Sequence, residues 1–266
     1  MKKWIQRILA LVFDVNKQIA DGEVRLLANS LSYTTVLSLI PFFAVSLSVF
    51  HAFGGLDKLY AELEPLIMQN LASAAGKAAL TNLQGIIFKI NSQALGLLGF
   101  MGLLVTSTTL IIDMEAAVQK VWKVKLKRSF TYRVFFSWLI IFLGPLALAV
   151  LLGALYSDKN AFFYLHKNFF NGALLGLLVM FAYKFIPSAR VTIWSAVVSA
   201  IVATVSFAAG QKIFMTLTRT IFTYSKIYGS LAAIPIFFLW ISILWWIFLV
   251  GAALCAVLNK KKEKNI

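Results

Sequence analysis

Charged residues, and acidic ones above all, are scarce in this chain. Of its 266 residues, 13% are charged and only 10 are Asp or Glu, whereas 61% are hydrophobic. A soluble domain has about a quarter of its residues charged, because it needs them to cover its surface. With half of that supply, much of the outer surface has to be apolar, and lipid is the solvent that tolerates such a surface. The composition therefore excludes an ordinary soluble protein and predicts an integral membrane protein.

Residues that usually carry chemistry are also few. The single cysteine, Cys255, lies in an apolar run, so the chain cannot form an internal disulfide. The two histidines, His51 and His166, stand in no metal-ligand spacing, and the sequence has neither a glycine-rich phosphate loop nor a nucleophile elbow. We therefore expect no metal, no cofactor and no enzymatic activity.

Six stretches of the chain are long and apolar enough to cross a bilayer, which takes about 20 residues. They predict an all-α, polytopic membrane protein whose membrane domain covers residues 26–258. The six transmembrane helices are expected at about 26–53, 95–118, 134–156, 169–186, 193–214 and 231–258.

The lysines and arginines predict the orientation of these spans. When the connections are assigned alternately to the two sides, one side receives 17 of the 25 basic residues and the other receives 8. Cytoplasmic flanks are the richer ones, so both termini, including the basic tail 259–266, are expected in the cytoplasm. The net charge of +15 is spread over short connections and not gathered on a basic domain, so we expect no nucleic-acid partner.

Three segments are expected to lie outside the spans. Residues 1–25 predict an amphipathic helix, which either lies on the membrane surface or packs as a cytoplasmic helix. Residues 54–93 repeat apolar positions at helical spacing and predict two amphipathic helices over the outer face. Residues 212–229 are too polar to span and too aromatic for a solvated loop, so we expect them at the interface, partly re-entrant.

Polar groups within spans are the first set of functional candidates, because they are costly in lipid and usually face a bundle interior or a cavity. Asp113 and Glu115 are two positions apart on a helix, so their side chains diverge and cannot share a proton or a metal. Two roles stay open for them, an ion pair with the following basic loop and a gating or substrate role. The candidates for lining a substrate path are Asn29, Tyr33, Ser38, Pro41, Asp113 and Glu115.

Basic residues beside the spans are the second set. The loop 120–133 is expected to receive an anionic headgroup. For the two basic residues that flank Pro187, a role as snorkelling anchors is the favoured explanation. The candidates for headgroup or anion contact are Lys123, Lys125, Lys127, Arg128, Lys184 and Arg190. Small residues at helical spacing, such as Gly99 with Gly102 and Gly172 with Gly176, predict closely packed helices.

Several runs, in order along nearly the whole chain, resemble the bacterial YihY/BrkB family of inner-membrane proteins. The first is ANSLSYTTVLSLIP at 28–41, and others stand at 115–122, 128–130 and 187–194. The most specific positions are Tyr228, Gly229, Trp240 and Gly251. Two positions depart from the family pattern: Ala253 replaces a frequent glutamate, and Gln119 replaces a common asparagine.

The resemblance implies a six-span protein of the bacterial inner membrane. It also implies a link to serum resistance and, in one branch, to export of a lipid A-type lipid. Our leading hypothesis is a transporter or lipid-handling protein with membrane lipids as partners and an anionic lipid or solute as substrate. The alternative is a non-transporting scaffold or assembly factor. The family's older name, ribonuclease BN, predicts RNA cleavage, which we do not expect. The sequence leaves the oligomeric state open, a homo-oligomer included.

Overall fold

The computed structural model describes residues 2–21, 23–52, 92–125, 128–135, 137–138, 167–224 and 233–263. Within them the long elements are all helices. They are α1 (Lys2–Asp21), α2 (Val24–Ala52), α3 (Ser92–Trp122), α4 (Lys167–Phe185), α5 (Ile193–Tyr224) and α6 (Ala233–Glu263). A short helical segment begins at residue 130.

Four of these helices are long and apolar enough to cross a membrane. The crossing stretches are Val24–Ser46, Gly96–Trp122, Ile193–Leu217 and Pro235–Lys261, and α4 adds the shorter apolar stretch Gly172–Phe185. The all-helical membrane fold expected from the sequence is thus confirmed. The predicted span 134–156 lies almost entirely outside the described residues, and the predicted outer helices at 54–93 lie outside them except for residues 92–93. The count of six therefore stays a prediction.

The fifth span was expected at 193–214 and residues 212–229 at the interface, partly re-entrant. Helix α5 covers Ile193–Tyr224, so residues 212–224 of that connection are helical. The polar residues of this stretch are compatible with a helix because their hydroxyls can bond to the backbone one turn earlier. Thr216 does so, since its Oγ1 donates to the Lys212 carbonyl at 3.0 Å. Residues 225–229 lie outside the described part of the chain.

The chain forms two compact units, and the larger one comprises residues 1–35 and 108–266. Its core contains several small side chains that allow close helix packing. In α5, Ala196, Ala200 and Ala203 recur at helical spacing and are at most 2% exposed. In α6, Ala252 and Ala256 are completely buried. Helix α6 contacts α5, α4 and α1, and α4 packs against α5.

Helix α1 packs against α6 with one side and exposes the other. Asp14 forms an ion pair with Lys261 of α6 at 2.8 Å, and the Gln18 amide donates to the backbone carbonyl of Val121. On the open side, large apolar residues such as Leu9 and Phe13 are exposed. Contact with the bundle, one of the two alternatives for this helix, is therefore present in the structure.

The smaller unit covers residues 36–107, of which 36–52 and 92–107 are described. A methyl group added at Gly99 would lie 2.9 Å from the Ala44 side chain and 3.1 Å from the Val45 nitrogen. The absence of a side chain at Gly99 therefore allows these helix halves to approach closely. Pro41 stands inside α2 without ending it and packs near Gly102.

Candidate functional site

A buried charge cluster in the larger unit is the first part of the candidate site. Glu115, near the end of α3, is 7% exposed. Its Oε2 accepts a hydrogen bond from Arg133 Nε at 2.7 Å, and its Oε1 lies 3.6 Å from Arg128 Nη1. We name Glu115, Arg128 and Arg133 the charge cluster. It contains two positive charges and one negative charge, so its net charge is +1.

The local backbone explains why these residues meet. Lys123 ends α3 in the left-handed conformation, with φ of 56°. Its N–H bonds to the Lys120 carbonyl at 3.0 Å, and Val124 N–H bonds to the Gln119 carbonyl at 3.1 Å. This pair of bonds is a Schellman motif, which ends a helix and redirects the chain. The chain then returns beside the last turns of α3.

The returning chain begins a new helical turn that places Arg133. Ser129 caps it, because the Ser129 hydroxyl accepts a hydrogen bond from the Tyr132 N–H at 3.4 Å. Arg133 follows one turn after the cap, and its N–H bonds to the Ser129 carbonyl at 3.1 Å. The arginine therefore sits on a helical segment and not on a loose loop.

The two arginines of the cluster are held differently. Arg133 makes two short contacts, to Glu115 and, through Nη2, to the Ile112 carbonyl at 2.9 Å. Arg128 bonds through Nη2 to the Phe185 carbonyl at 3.0 Å, one of the carbonyls left unpaired at the end of α4. Its distance to Glu115 exceeds the usual hydrogen-bond length of about 2.7–3.2 Å. Arg133 is thus fixed, while Arg128 is held mainly by a helix end.

The charge cluster forms part of the wall of a cavity of about 410 Å³. Small-molecule sites in proteins span about 300–1,000 Å³, so this cavity has the size of a ligand site. Its other walls are mostly apolar and come from α3 and from one side of α4. The apolar side chains that line it include Ile111, Met114, Leu178, Phe181, Ala182 and Phe185. The cavity therefore combines an apolar interior with a cationic region.

The polar candidates of the first span lie elsewhere and have other partners. Asn29 accepts a hydrogen bond from Ser242 of α6 at 2.7 Å. Thr34 donates to Asp113 at 3.1 Å, so Asp113 faces α2 while Glu115 faces the arginines. Tyr33 is 59% exposed.

The last two path candidates, Ser38 and Pro41, belong to the smaller unit. Among the six predicted path residues, only Glu115 lines the cavity.

The basic residues predicted to contact a headgroup lie in different places. Arg128 lines the cavity, whereas Lys123 and Lys125 are exposed beyond the end of α3. Lys184 donates to the Val191 carbonyl, and Arg190 is exposed. Lys127 lies outside the described residues.

Sequence reasoning placed Arg133 and Tyr132 within the basic loop 120–133 without singling them out, and it missed the wall that α4 supplies. The signal for Arg133 was local. Helix α3 carries a carboxylate near its end, the serine at 129 can cap a new helix, and an arginine follows that serine one turn later. The contribution of α4 left no such signal, because it depends on packing between segments distant in the chain.

Gln119, one of the departures from the family pattern, joins three segments. Its Nε2 donates to the Ile186 carbonyl at 3.0 Å and to the Ser188 hydroxyl at 2.9 Å. Its Oε1 accepts from the Ser188 N–H at 3.0 Å. The turn between α4 and α5 is thereby attached to α3 by a side chain that is 2% exposed. Ala253, the other departure, is completely buried in the core.

Asn259 of α6 attaches the same turn from another side. Its Oδ1 accepts from the Thr192 N–H at 2.9 Å, and its Nδ2 donates to the Arg190 carbonyl at 3.1 Å. Two buried carboxamides, Gln119 and Asn259, therefore satisfy the backbone of this turn. They fix the end of α4, on which Arg128 rests.

The family-motif positions in the described residues have packing roles. The Tyr183 hydroxyl passes over Gly251 and donates to the Phe248 carbonyl at 2.8 Å, which ties α4 to α6. Trp240 stacks on Phe214 of α5, with ring centroids 4.5 Å apart. Tyr228 and Gly229 lie outside the described residues.

Replacing Gly251 by alanine is expected to destabilise the protein by about 1–3 kcal/mol, the usual cost of overpacking. The new methyl group would overlap the Tyr183 hydroxyl and lie 3.1 Å from the Ala203 side chain. Thermal unfolding in detergent measures the effect. In a Tyr183→Phe background, which lacks the hydroxyl, the penalty should shrink.

Gly172→Ala is the matched control, because no atom of the described residues beyond its own helix turn lies within 4 Å of the added methyl group. Equal effects of the Gly251 and Gly172 substitutions would contradict the packing role of Gly251.

Long apolar helices with a core of small residues define this chain as a helical, multi-pass membrane protein. A profile of the family described as "Virulence factor BrkB" matches residues 15–266. The chain therefore belongs to the BrkB family, as the sequence resemblance predicted. No solved structure matches it.

Relatives are known as UPF0761 membrane proteins. One from Ralstonia nicotianae is 30% identical over 274 residues, an alignment that covers 97% of this chain and 61% of the relative. The chain thus spans about three fifths of that relative's length. Another, from Histophilus somni, is 31% identical over 243 residues, with coverage of 87% and 84%. A third, from Alteromonas mediterranea, is 29% identical over 265 residues, with coverage of 93% and 88%.

Proposed function

We propose that this chain is a lipid-handling protein of the bacterial inner membrane, which binds an amphiphile with an anionic headgroup as one step in moving it. The observation that carries this proposal is the cavity of about 410 Å³, which has apolar walls and the charge cluster at its edge. An acyl chain suits the apolar walls, and a phosphate oxygen suits a guanidinium, which binds such oxygens through parallel N–H bonds.

The position of the cavity along the chain suggests the leaflet from which the lipid enters. The charge cluster lies at the end of α3 that leads into the most basic connection, residues 120–133. Cytoplasmic flanks are rich in lysine and arginine, so this end and both termini belong on the cytoplasmic side in our proposal. The substrate then enters from the cytoplasmic leaflet.

The structure also changes which residues we assign to the substrate path. Asn29, Thr34 and Thr35 bond to Ser242, Asp113 and Trp245 across helix pairs. Interhelical hydrogen bonds of this kind hold a bundle together. We therefore place the path at the charge cluster and not along α2.

Filling the cavity is the test of this proposal. Leu178 lines the cavity and is 42% exposed, so a tryptophan there can occupy cavity space without displacing core residues. We expect Leu178→Trp to lower several-fold the amount of anionic phospholipid that the purified protein retains, as counted by native mass spectrometry, and to slow lipid movement in proteoliposomes.

The matched control is Leu175→Trp. Leu175 lies on the same helix and is 40% exposed, but it does not line the cavity. Retention that is equal in the wild type and both variants would show that the cavity does not hold lipid.

The bonds that α2 makes to α3 and α6 favour a second candidate, a scaffold whose bundle stays closed. This candidate predicts that the purified protein moves no lipid and that crosslinking in cells captures a stoichiometric partner protein. Lipid movement that depends on position 178 and not on position 175 would argue against it.

A further inference from the structure

We propose that Arg128 is the headgroup-binding residue of the cavity and that the site selects a headgroup with a single negative charge. This inference rests on the proposed lipid binding and adds to it the residue and the charge state of the ligand. Three properties of the charge cluster support it: the different hydrogen bonds of its two arginines, the different exposures of their side chains, and the net charge of the cluster.

Arg133 also lines the cavity, but it is held more firmly than Arg128 and is less available to a substrate. Its side chain is 11% exposed, and two short bonds, to Glu115 and to the Ile112 carbonyl, hold it in place. Removing one partner of a buried ion pair is strongly destabilising, because the other charge is left uncompensated. Arg133 and Glu115 therefore act as a neutral, fixed pair that positions the rest of the site.

Arg128 has the opposite properties. Its side chain is 30% exposed, and its Nη1 stands 3.6 Å from Glu115 Oε1. That oxygen accepts no hydrogen bond from the described residues. A guanidinium has five N–H donors. Among the described residues, Arg128 makes one bond within hydrogen-bonding distance, from Nη2 to the Phe185 carbonyl. Donors of Arg128 thus remain for an anionic oxygen in the cavity.

The surroundings of Arg128 aim it at the cavity. The Phe185 carbonyl holds it at the end of α4, where a positive charge is favoured by the helix dipole. The Tyr132 ring lies 6.0 Å from its guanidinium carbon, within reach of a cation–π contact. Both Tyr132 and Phe185 line the cavity, so the guanidinium is held at its wall.

The net charge of the cluster sets the charge of the ligand. With Glu115 and Arg133 neutral as a pair, Arg128 contributes one uncompensated positive charge. A phosphodiester headgroup with one negative charge makes the filled site neutral. A phosphomonoester headgroup with two negative charges would leave one of them unpaired and facing the Glu115 carboxylate. A zwitterionic headgroup has no net charge, so the positive charge of Arg128 would stay uncompensated. Charges without a partner are costly in an apolar site.

Competition among three lipids tests the inference on the full-length protein. The purified protein is equilibrated with mixed micelles that contain equal amounts of phosphatidylglycerol, phosphatidylethanolamine and phosphatidic acid with identical chains. Retained lipids are counted by native mass spectrometry. We expect about tenfold enrichment of phosphatidylglycerol, which corresponds to about 1.4 kcal/mol of headgroup affinity. Preferential retention of either other lipid would refute selection of a single negative charge.

Arg128→Gln should abolish this enrichment and leave total retention, which depends on the apolar walls, nearly unchanged. Arg128→Lys keeps the charge and should retain part of the preference, which makes it the second variant if the glutamine variant is unstable. Lys212→Gln, at an exposed position of α5 that does not line the cavity, is the control and should behave as wild type. A preference that survives Arg128→Gln would overturn the assignment of Arg128.

Two further arms separate this inference from the proposed function. If Leu178→Trp leaves total retention unchanged, the cavity does not hold lipid and the proposed function itself is wrong. If soluble glycerophosphoglycerol, the headgroup without chains, competes as well as the intact lipid does, the ligand is a soluble anion and the lipid assignment is wrong.

Discussion

Replacing Glu115 by alanine is expected to destabilise the protein by about 3–5 kcal/mol, the usual cost of removing one partner of a buried ion pair. The carboxylate lies 2.7 Å from Arg133, and both side chains are almost completely buried, with exposures of 9% and 11%. Without Glu115, the Arg133 guanidinium would remain in an apolar environment with only the Ile112 carbonyl as its described partner.

The chain offers its own reporter for this measurement. Cys255 is the single cysteine and is completely buried in α6. Its reaction with a thiol-specific dye during heating in detergent therefore reports the opening of the core. We expect the labelling midpoint of Glu115→Ala to fall well below that of the wild type.

Lys120→Ala provides the control on the same helix. Lys120 pairs with Glu23 at the same distance of 2.7 Å, but the two side chains are 47% and 52% exposed. Exposed pairs contribute about 0–1 kcal/mol, so this variant should unfold close to the wild type. A Glu115→Ala variant as stable as Lys120→Ala would mean that the charge cluster is solvated and not buried.

Removing the other charge as well should recover stability. In a Glu115→Ala/Arg133→Met double variant no unpaired buried charge from this pair remains, and apolar replacements of buried ion pairs are often neutral or stabilising. We therefore expect the double variant to be more stable than Glu115→Ala alone. A loss equal to the sum of the two single losses would show that the pair is not coupled.

Gln119→Leu is expected to have the second large effect, a destabilisation of about 2–4 kcal/mol. The leucine is similar in size, but the Ser188 N–H and the Ile186 carbonyl would lose their partner at Gln119. One buried group without a hydrogen bond costs about 1–3 kcal/mol. The same Cys255 labelling measures the loss.

Gln119→Asn tests the reach of the side chain. Asparagine is one methylene shorter than glutamine, so its amide cannot make the present bonds to Ser188 and Ile186 unless the turn moves. We expect an intermediate loss of stability. Gln211→Leu, at an exposed position of α5, should change little. If the leucine variants at 119 and 211 were equally stable, the turn would not depend on Gln119.

Local sequence was enough to predict where most of the described helices lie. The first span was expected at 26–53 and α2 covers Val24–Ala52; the fourth was expected at 169–186 and α4 covers Lys167–Phe185. Hydropathy predicts such segments because lipid requires continuous apolar helices with internally paired backbones. It does not locate the end of α5, which continues to Tyr224, because hydropathy measures the preference for lipid and a helix can continue where that preference ends.

The candidate site was predicted only in part. Glu115 and Arg128 were each identified as candidates. Glu115 was chosen because a carboxylate within a span is costly in lipid, and Arg128 because it is a basic residue in the loop after that span. The sequence left open an ion pair between Glu115 and the following basic loop, and in the structure Arg133 of that loop forms it. The wall from α4 was not predicted, since it depends on packing between segments that are distant in sequence. Asn29 and Asp113 were grouped with Glu115 as path residues, but the structure gives them partners in other helices.

The sequence alone determined the class of this protein and its family, because the scarcity of charge and the long apolar runs depend on composition and order, not on packing. Only the tertiary structure decided which polar residues hold the helices together and which line a cavity. A carboxylate or an arginine binds a neighbour or faces a cavity according to which helices pack together. The packing of the helices depends in turn on side chains that are distant from one another in the sequence.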